Sequence, residues 1–472
     1  MNISLQDVLD STGGRILNGT VRGRGCPLMF MGISTDSRRV KSGDLFLALA
    51  GERYDGHDFV LAAFRKGASG AVVGRPLSAG GGVPGPLIKV KDTLTALGDL
   101  ARYWRIRHPI PLAAITGSNG KTTTKEILAS ILSQAGYKVL KTEGNLNNLI
   151  GVPMMLFRLS ECDEMAVLEF GANRFGEIGR LTEITVPQVG VITMISGAHL
   201  EFFKNLRGVA RAKGELLEHL GPDETAVVNI DDPFVMALVK KCRARKVFFG
   251  FGKRAHVRCL AVEEKCWHRP KADWGSSISL NVFGRRTKVQ IPFPGLHNVS
   301  NALAAIAGAV TLDETISART IQKGLMETQV PPGRFQILQR KGIHIIDDSY
   351  NANPRSMEVA LRGLQHLKGK SRAAAILGDM LELGAIEPRA HEELGRLASS
   401  LGLNLIIAMG RNARRVREGA IKEGMAEDAV FLAKSHEEAV EHARDFLRKG
   451  DWVLVKGSRR MRMEQVVKGL GD

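Results

Sequence analysis

Residues 115–126 read ITGSNGKTTTKE, and their types and spacing suit the holding of phosphate. Gly117 and Gly120 let the backbone curl around anionic oxygens, with Ser118 and Asn119 between them. Lys121 brings a mobile positive charge, Thr122 offers a hydroxyl suited to Mg²⁺, and Thr123 completes the loop. The full phosphate-loop pattern has glycine six residues before its lysine. Here that position is Ile115, leaving the shorter G-x-x-G-K-T. An apolar run, Leu112 to Ile115, precedes the loop. Behind it Ile127, Leu128, Ile131, Leu132 and Ala135 recur at helical spacing. The glycines are therefore expected between a strand and a helix N-terminus, where free N–H groups and the helix dipole favour an anion. An ordinary glycine turn capping a helix is the bland alternative. The strand before and helix after favour a nucleoside triphosphate.

Other residues invite chemistry with less support from spacing. Glu169 in AVLEFGAN and His199 in SGAHLEFF follow apolar strands, at the edge where α/β sheets collect ligands, and Lys213 lies in ARAKGELL. A carboxylate suits Mg²⁺; an imidazole is a less usual ligand for so hard a cation. The alternatives are a salt bridge, a capping histidine and a solvated lysine. In FPGLHNVSNALAA, His297, Asn298 and Asn301 open a helix, where Asn side chains fit an adenine edge or Asn298 or Ser300 simply caps. In IIDDSYNANP, Asp347, Asp348, Tyr350, Asn351 and Asn353 follow a strand. A carboxylate there suits ribose hydroxyls, and a turn-rich strand exit is the plain reading.

The elements that must position these groups alternate along the chain. The Gly/Pro-rich stretch 76–86 reads as a surface loop, and LIKVK (87–91) closes a first α/β domain, 1–91. Strands are expected at 112–116, 137–141, 165–170, 189–195, 225–230 and 246–250 with helices between them. An irregular region and an Ala-rich helix, Val299 to Ala309, follow. This makes a central domain, 92–331, with a mostly parallel sheet. Near VPPGRF (330–335) the alternation restarts, with strands at 343–348, 373–380, 404–410, 429–433 and 452–458. They form a third α/β domain, 332–472, without a glycine-rich phosphate loop.

At 472 residues, 44% hydrophobic and 24% charged, the chain has the composition of a soluble globular protein of several domains. No apolar run is long enough to span a membrane, and MNISLQDVLDSTGG lacks the basic and apolar regions of a signal peptide, so cytoplasm is expected. Cys26, Cys162, Cys242, Cys259 and Cys266 show no metal-type pairing and read as scattered thiols. A formal charge of +17 calls for an anionic partner, but the cations are dispersed and aromatics are only 6%. Phosphorylated small molecules therefore fit better than nucleic acid.

Together with STDSRRVKSGDLFLALAGERYDGHDF, TEGNLNNLIGVP, VVNIDDP, LGDMLELG and VKGSRRMRMEQVV, these motifs resemble the Mur ligase family over essentially the whole chain. These are the cytoplasmic amide ligases of peptidoglycan synthesis. The loop, the His/Lys pair and the H-N-x-x-N stretch are shared with folylpolyglutamate synthetases. GNLNN, DDSYNANP and VKGSR resemble the branch that adds D-alanyl-D-alanine. The resemblance implies an N-terminal UDP-binding domain, a central ATPase and a C-terminal Rossmann-like domain for the amino substrate. It implies ATP and Mg²⁺ as cofactors, and UDP-N-acetylmuramoyl tripeptide and D-alanyl-D-alanine as substrates. No nucleic acid and a monomeric chain are expected. Ser37, with Asp36 and Arg38 beside it, falls at the family's uridine contact. Thr142, Asn145 and Asn147 fall at its muramoyl-substrate contacts, and Gly117 to Thr123 at the ATP loop. Thr122, Glu169 and His199 take magnesium positions. Lys213 matches a lysine carbamylated in the family and, with Lys121 and His199, takes a catalytic position. His297, Asn298 and Asn301 match adenine-side positions, Arg334 and Asp348 phosphate- and ribose-side contacts, and Lys456 and Arg459 the approach of the dipeptide. Leu149 stands where a polar residue is expected.

Overall fold

Along Leu112–Thr116, Leu112 and Ala114 enter one apolar cluster while Ala113 and Ile115 enter another. The split recurs in Ala166 and Leu168 against Met165 and Val167, and in Ala226 and Val228 against Val227. Strands covered on both faces have no polar side to show, which explains their unbroken apolar runs. The structure is a computed structural model and describes residues 1–18, 27–51, 53–77, 83–197, 200–268 and 272–471.

Three α/β units follow one another. The first carries a five-stranded sheet in the order Arg15–Asn18, Leu87–Lys89, Gly70–Val73, Asp44–Leu47, Gly32–Ser34, all parallel except the first pair. Its inner face shares one apolar cluster with helix Thr93–Ile106 and with the helices of the next unit. The central sheet has nine strands, in the order Arg285–Ile291, Ala272–Val282, Val257–His268, Arg245–Gly250, Thr225–Asn229, Val189–Ile192, Leu112–Thr116, Met165–Glu169, Val139–Lys141. After Leu112–Thr116 the chain builds strands on one side and then crosses to Val189–Ile192 on the other. The C-terminal end of Leu112–Thr116 is thus a topological switch point, the place where such sheets bind ligands. The third sheet runs Gln336–Arg340, Ile343–Asp348, Trp452–Lys456, Ala373–Leu377, Leu405–Met409, Val430–Ala433, parallel except for its first pair.

Two stretches differ from expectation. The region after residue 250, read as irregular, forms the antiparallel strands Val257–His268, Ala272–Val282 and Arg285–Ile291. Gln336–Arg340 adds an unexpected antiparallel edge. The ribbon presents a polar outer face, so only short apolar alternations such as Ile278 with Leu280 and Val289 with Ile291 betray it, whereas Gln336–Arg340 offers just Ile337 and Leu338, one packed on each side. Among the described residues no helix is long and apolar enough to cross a membrane.

Candidate active site

The loop after Leu112–Thr116 leads directly into helix Lys121–Gln134. Gly117 (φ 145°) and Gly120 (φ 81°) take conformations other residues avoid. Space forbids a side chain as well, because a Cβ would meet Thr193 Oγ1 at 2.0 Å or Asn301 Oδ1 at 2.1 Å. Lys121 Nζ folds back to donate to the Gly117 carbonyl at 2.9 Å. Burial pushes its ammonium below the ordinary range, Glu169 opposes this, and Arg334 adds to it. A second loop, after Val189–Ile192, props the first. Ser118 Oγ donates to the Ser196 carbonyl and accepts from the Ser196 N–H, each at 2.9 Å, and Thr193 Oγ1 donates to the Asn119 carbonyl at 2.6 Å.

Glu169 ends its strand beside this loop. Its Oε2 accepts from Thr122 Oγ1 at 2.7 Å and its Oε1 from Asn147 Nδ2 at 3.0 Å. Burial alone would raise its pKa, but Lys121, Arg334 and these hydrogen bonds outweigh burial and hold the carboxyl below its usual value. A buried, ionised carboxylate beside a threonine hydroxyl is a hard-oxygen donor set, which fits Mg²⁺. Thr142 lies beneath the site: it is 1% exposed, and its Oγ1 accepts from the Glu169 N–H at 2.9 Å. Lys213, on helix Leu206–His219, is 1% exposed, its Nζ 6.0 Å from the centre of the Phe203 ring. Burial first, then the nearby Lys121, lowers its pKa to about 7, against the opposing pull of Glu177, Glu215 and Glu169.

Across the cavity stand residues of the last two units. Helix Leu296–Leu312 starts at Gly295 with no side-chain cap, so neither Asn298 nor Ser300 is the cap. Instead Asn298 Nδ2 donates to the Pro294 carbonyl at 2.8 Å and Asn301 Nδ2 to Asn298 Oδ1 at 3.4 Å. Burial pulls the pKa of His297 down to about 4, leaving a neutral imidazole at pH 7. Asp348 Oδ1 accepts from the Phe335 N–H at 3.0 Å, and its Oδ2 pairs with Lys456 Nζ at 2.6 Å. The Arg334 guanidinium lies 4.1 Å from the centre of the Tyr350 ring, and Arg459 lies 5.8 Å from it.

One cavity of about 730 Å³ gathers these groups. Ser118 to Thr123, Asn145, Asn147, Glu169, Lys213, His297, Asn298, Asn301, Arg334, Asp348, Lys456 and Arg459 all line it, and so does Leu149. Ser37, Asp36 and Arg38 do not; they form a separate exposed turn where Asp36, its carboxyl held at about 2, binds the Arg38 side chain and N–H. His199 lies outside the described residues. The residues that sequence reasoning missed are the props, Thr193 and Ser196, whose types carry no signal apart from the loop they touch.

Comparison with known proteins adds names to this geometry. The description "Mur ligase family, catalytic domain" matches residues 30–105, "Mur ligase middle domain" 115–309, and "Mur ligase, glutamate ligase domain" 333–459. The UDP-N-acetylmuramoyl-tripeptide–D-alanyl-D-alanine ligase of Escherichia coli is 36% identical over 459 residues, covering 97% of each chain. A crystal structure of MurF from Acinetobacter baumannii superposes with a TM-score of 0.89 at 34% identity, covering 100% of this chain and 99% of that one. The crystal structure of MurF ligase from Thermotoga maritima in complex with ADP gives 0.81 at 28% identity, covering 93% and 96%.

Proposed function

The chain belongs to the Mur ligase family, and from that premise we propose that it joins D-alanyl-D-alanine to UDP-N-acetylmuramoyl tripeptide with ATP. Forming an amide from a carboxylate and an amine in water is uphill, so the carboxylate must be activated. The γ-phosphoryl group of ATP passes to the terminal carboxylate of the tripeptide, giving an acyl phosphate. The dipeptide amine attacks the acyl carbon, the tetrahedral intermediate collapses, and phosphate leaves. One observation carries the reading. The phosphate loop, with Lys121 and Glu169, faces Arg334, Asp348 and Lys456 of the last unit across one cavity of about 730 Å³.

Each residue's part follows from its chemistry. The loop N–H groups and Lys121 hold the phosphates and balance the charge that develops during transfer. Asn298 and Asn301, with the neutral His297, form the adenine-side wall. Asp348 receives ribose hydroxyls and Arg334 the phosphates. Asn145 and Asn147 meet the muramoyl substrate, and Thr142 acts on it only through Glu169. Ser37, Asp36 and Arg38 hold the uridine end. Lys456 and Arg459 face the dipeptide, Lys456 while tied to Asp348. Thr122 and Glu169 would hold Mg²⁺, which when bound neutralises phosphate charge. Lys213, with its pKa near 7, has a large neutral fraction at cytoplasmic pH. That neutral amine is the form that adds CO₂ to give a carbamate. Catalysis is then chiefly positioning and electrostatics, with no side-chain nucleophile. The test labels the tripeptide carboxylate with ¹⁸O. Transfer of one label into the released phosphate is expected, and its absence would exclude the acyl-phosphate route.

A further inference from the structure

Asn353 was read as part of a polar strand exit, but it does two things at once. Its Oδ1 accepts from the Ser356 N–H at 2.9 Å, making it the cap of helix Pro354–Lys368 in the third unit. Its Nδ2 crosses the cleft and donates to Oδ1 of Asn119, in the phosphate loop of the central unit, at 2.8 Å. Asn119 Nδ2 donates in turn to Ser196 Oγ at 2.9 Å and back to Asn353 Oδ1 at 3.4 Å, so the cross-link is reciprocal and rests on the loop's own support. Asn353 is 9% exposed, and its amide meets that of Asn119 directly.

Other contacts between these units include the His297 and Phe335 rings, edge-on at the cavity with centres 5.3 Å apart. Glu201 N–H donates to the Glu382 carbonyl at 3.1 Å, and Trp274 meets Trp452 edge-on with ring centres 5.5 Å apart. Trp452 begins strand Trp452–Lys456, whose other end, Lys456, lines the cavity. The tryptophan contact therefore lies at the foot of the sheet, away from the site, while the asparagine pair stands at its mouth, where Glu382, His297 and Phe335 also line the cavity. A contact at the foot serves as a pivot. One at the mouth fixes how far Arg334, Asp348 and Lys456 stand from the phosphates.

We infer that Asn353 is a positioning residue for ligation: its amide latches the third unit onto Asn119 of the phosphate loop, setting the closed geometry in which the dipeptide meets activated carboxylate. The inference rests on the proposed function for its kinetic consequence, but the latch itself is independent of substrate.

The test uses the full chain with Asn353→Ser, which retains a good helix cap but cannot reach Asn119, and Asn353→Asp, which keeps both cap and length. In Asn353→Asp, rotation of the Asn119 amide would restore a hydrogen bond. Small-angle scattering of the ligand-free protein should give a larger radius of gyration for Asn353→Ser than for the parent. Its kcat/KM for D-alanyl-D-alanine should fall roughly three- to tenfold, the worth of one net hydrogen bond. Asn353→Asp should lie between the two, and Asn119→Ser combined with Asn353→Ser should be no worse than the poorer single variant. A parent-like radius and kcat/KM for Asn353→Ser would overturn the latch. So would equal losses in both variants accompanied by a lower melting temperature, which would leave a cap alone. If the parent makes no amide from these substrates, the proposed function fails while the scattering comparison still decides the latch.

Discussion

Replacing Lys213 with methionine should make the protein more stable and less active, with the stability gain depending on pH. The lysine is 1% exposed, and its pKa falls from 10.5 to about 7, chiefly through burial. At about 1.4 kcal/mol per tenfold change in proton affinity, that fall corresponds to roughly 5 kcal/mol of unfavourable charge burial. Between pH 7 and 10.5 the unfolded chain binds more protons at this site than the folded one, so stability rises with pH across that window. Below pH 7 the full penalty stands. Methionine, one atom shorter and uncharged, escapes the penalty, though relaxation and water entry will trim the gain to a few kcal/mol. Urea unfolding in CO₂-free buffer at pH 6.5, 8 and 9.5 would measure this. The advantage of Lys213→Met should be largest at pH 6.5 and shrink at each step. With ¹³C-bicarbonate, the parent should show a carbamate resonance that the variant lacks. A variant less stable than the parent at every pH, or an advantage that ignores pH, would refute the reasoning.

Further outcomes follow from the same geometry. Glu169→Gln can still accept from Asn147 through its amide oxygen and donate to the Thr122 hydroxyl but removes the charge; turnover should fall about a hundredfold or more, with a raised Mg²⁺ requirement, in a steady-state titration of the metal. Gly120→Ala places a methyl group in a left-handed conformation against Asn301; ADP affinity by calorimetry should drop at least tenfold, with far-UV circular dichroism unchanged. Asp36→Ala breaks the exposed turn that presents Ser37 and Arg38, and should raise KM for the UDP substrate several-fold while KM for ATP stays within about twofold. Equal changes in both constants would contradict the placing of uridine in the first unit.

Much of this architecture could be read in advance because strands covered on both faces are apolar throughout. Leu112–Thr116 and Ile343–Asp348 fall at their expected limits, and the phosphate loop lies between strand and helix as its glycines require. The ribbon from Val257 to Ile291 escaped because one face meets solvent, and charged residues such as Arg258, Glu263 and Lys288 dilute its alternation. At the site, residues with a chemical signature were legible: Lys121, Glu169 and Lys213 line the cavity together. Roles set by tertiary contact were not. Thr142, expected at a substrate contact, is buried, and its Oγ1 accepts from the Glu169 N–H, a contact that no local pattern records. Asn353, followed by Pro354, has the pattern of a helix cap, but nothing local records that its amide reaches Asn119.

The central claim is that one cavity activates a carboxylate with ATP and passes it to an amine. Phosphate release from Mg·ATP with UDP-N-acetylmuramoyl tripeptide, measured with and without D-alanyl-D-alanine and paired with product mass, tests it most directly. Sustained release that requires both substrates, with a product heavier than the tripeptide substrate by one dipeptide less water, is the predicted result. Release indifferent to both substrates and stimulated by nucleic acid would contradict the account and make the net positive charge the better guide.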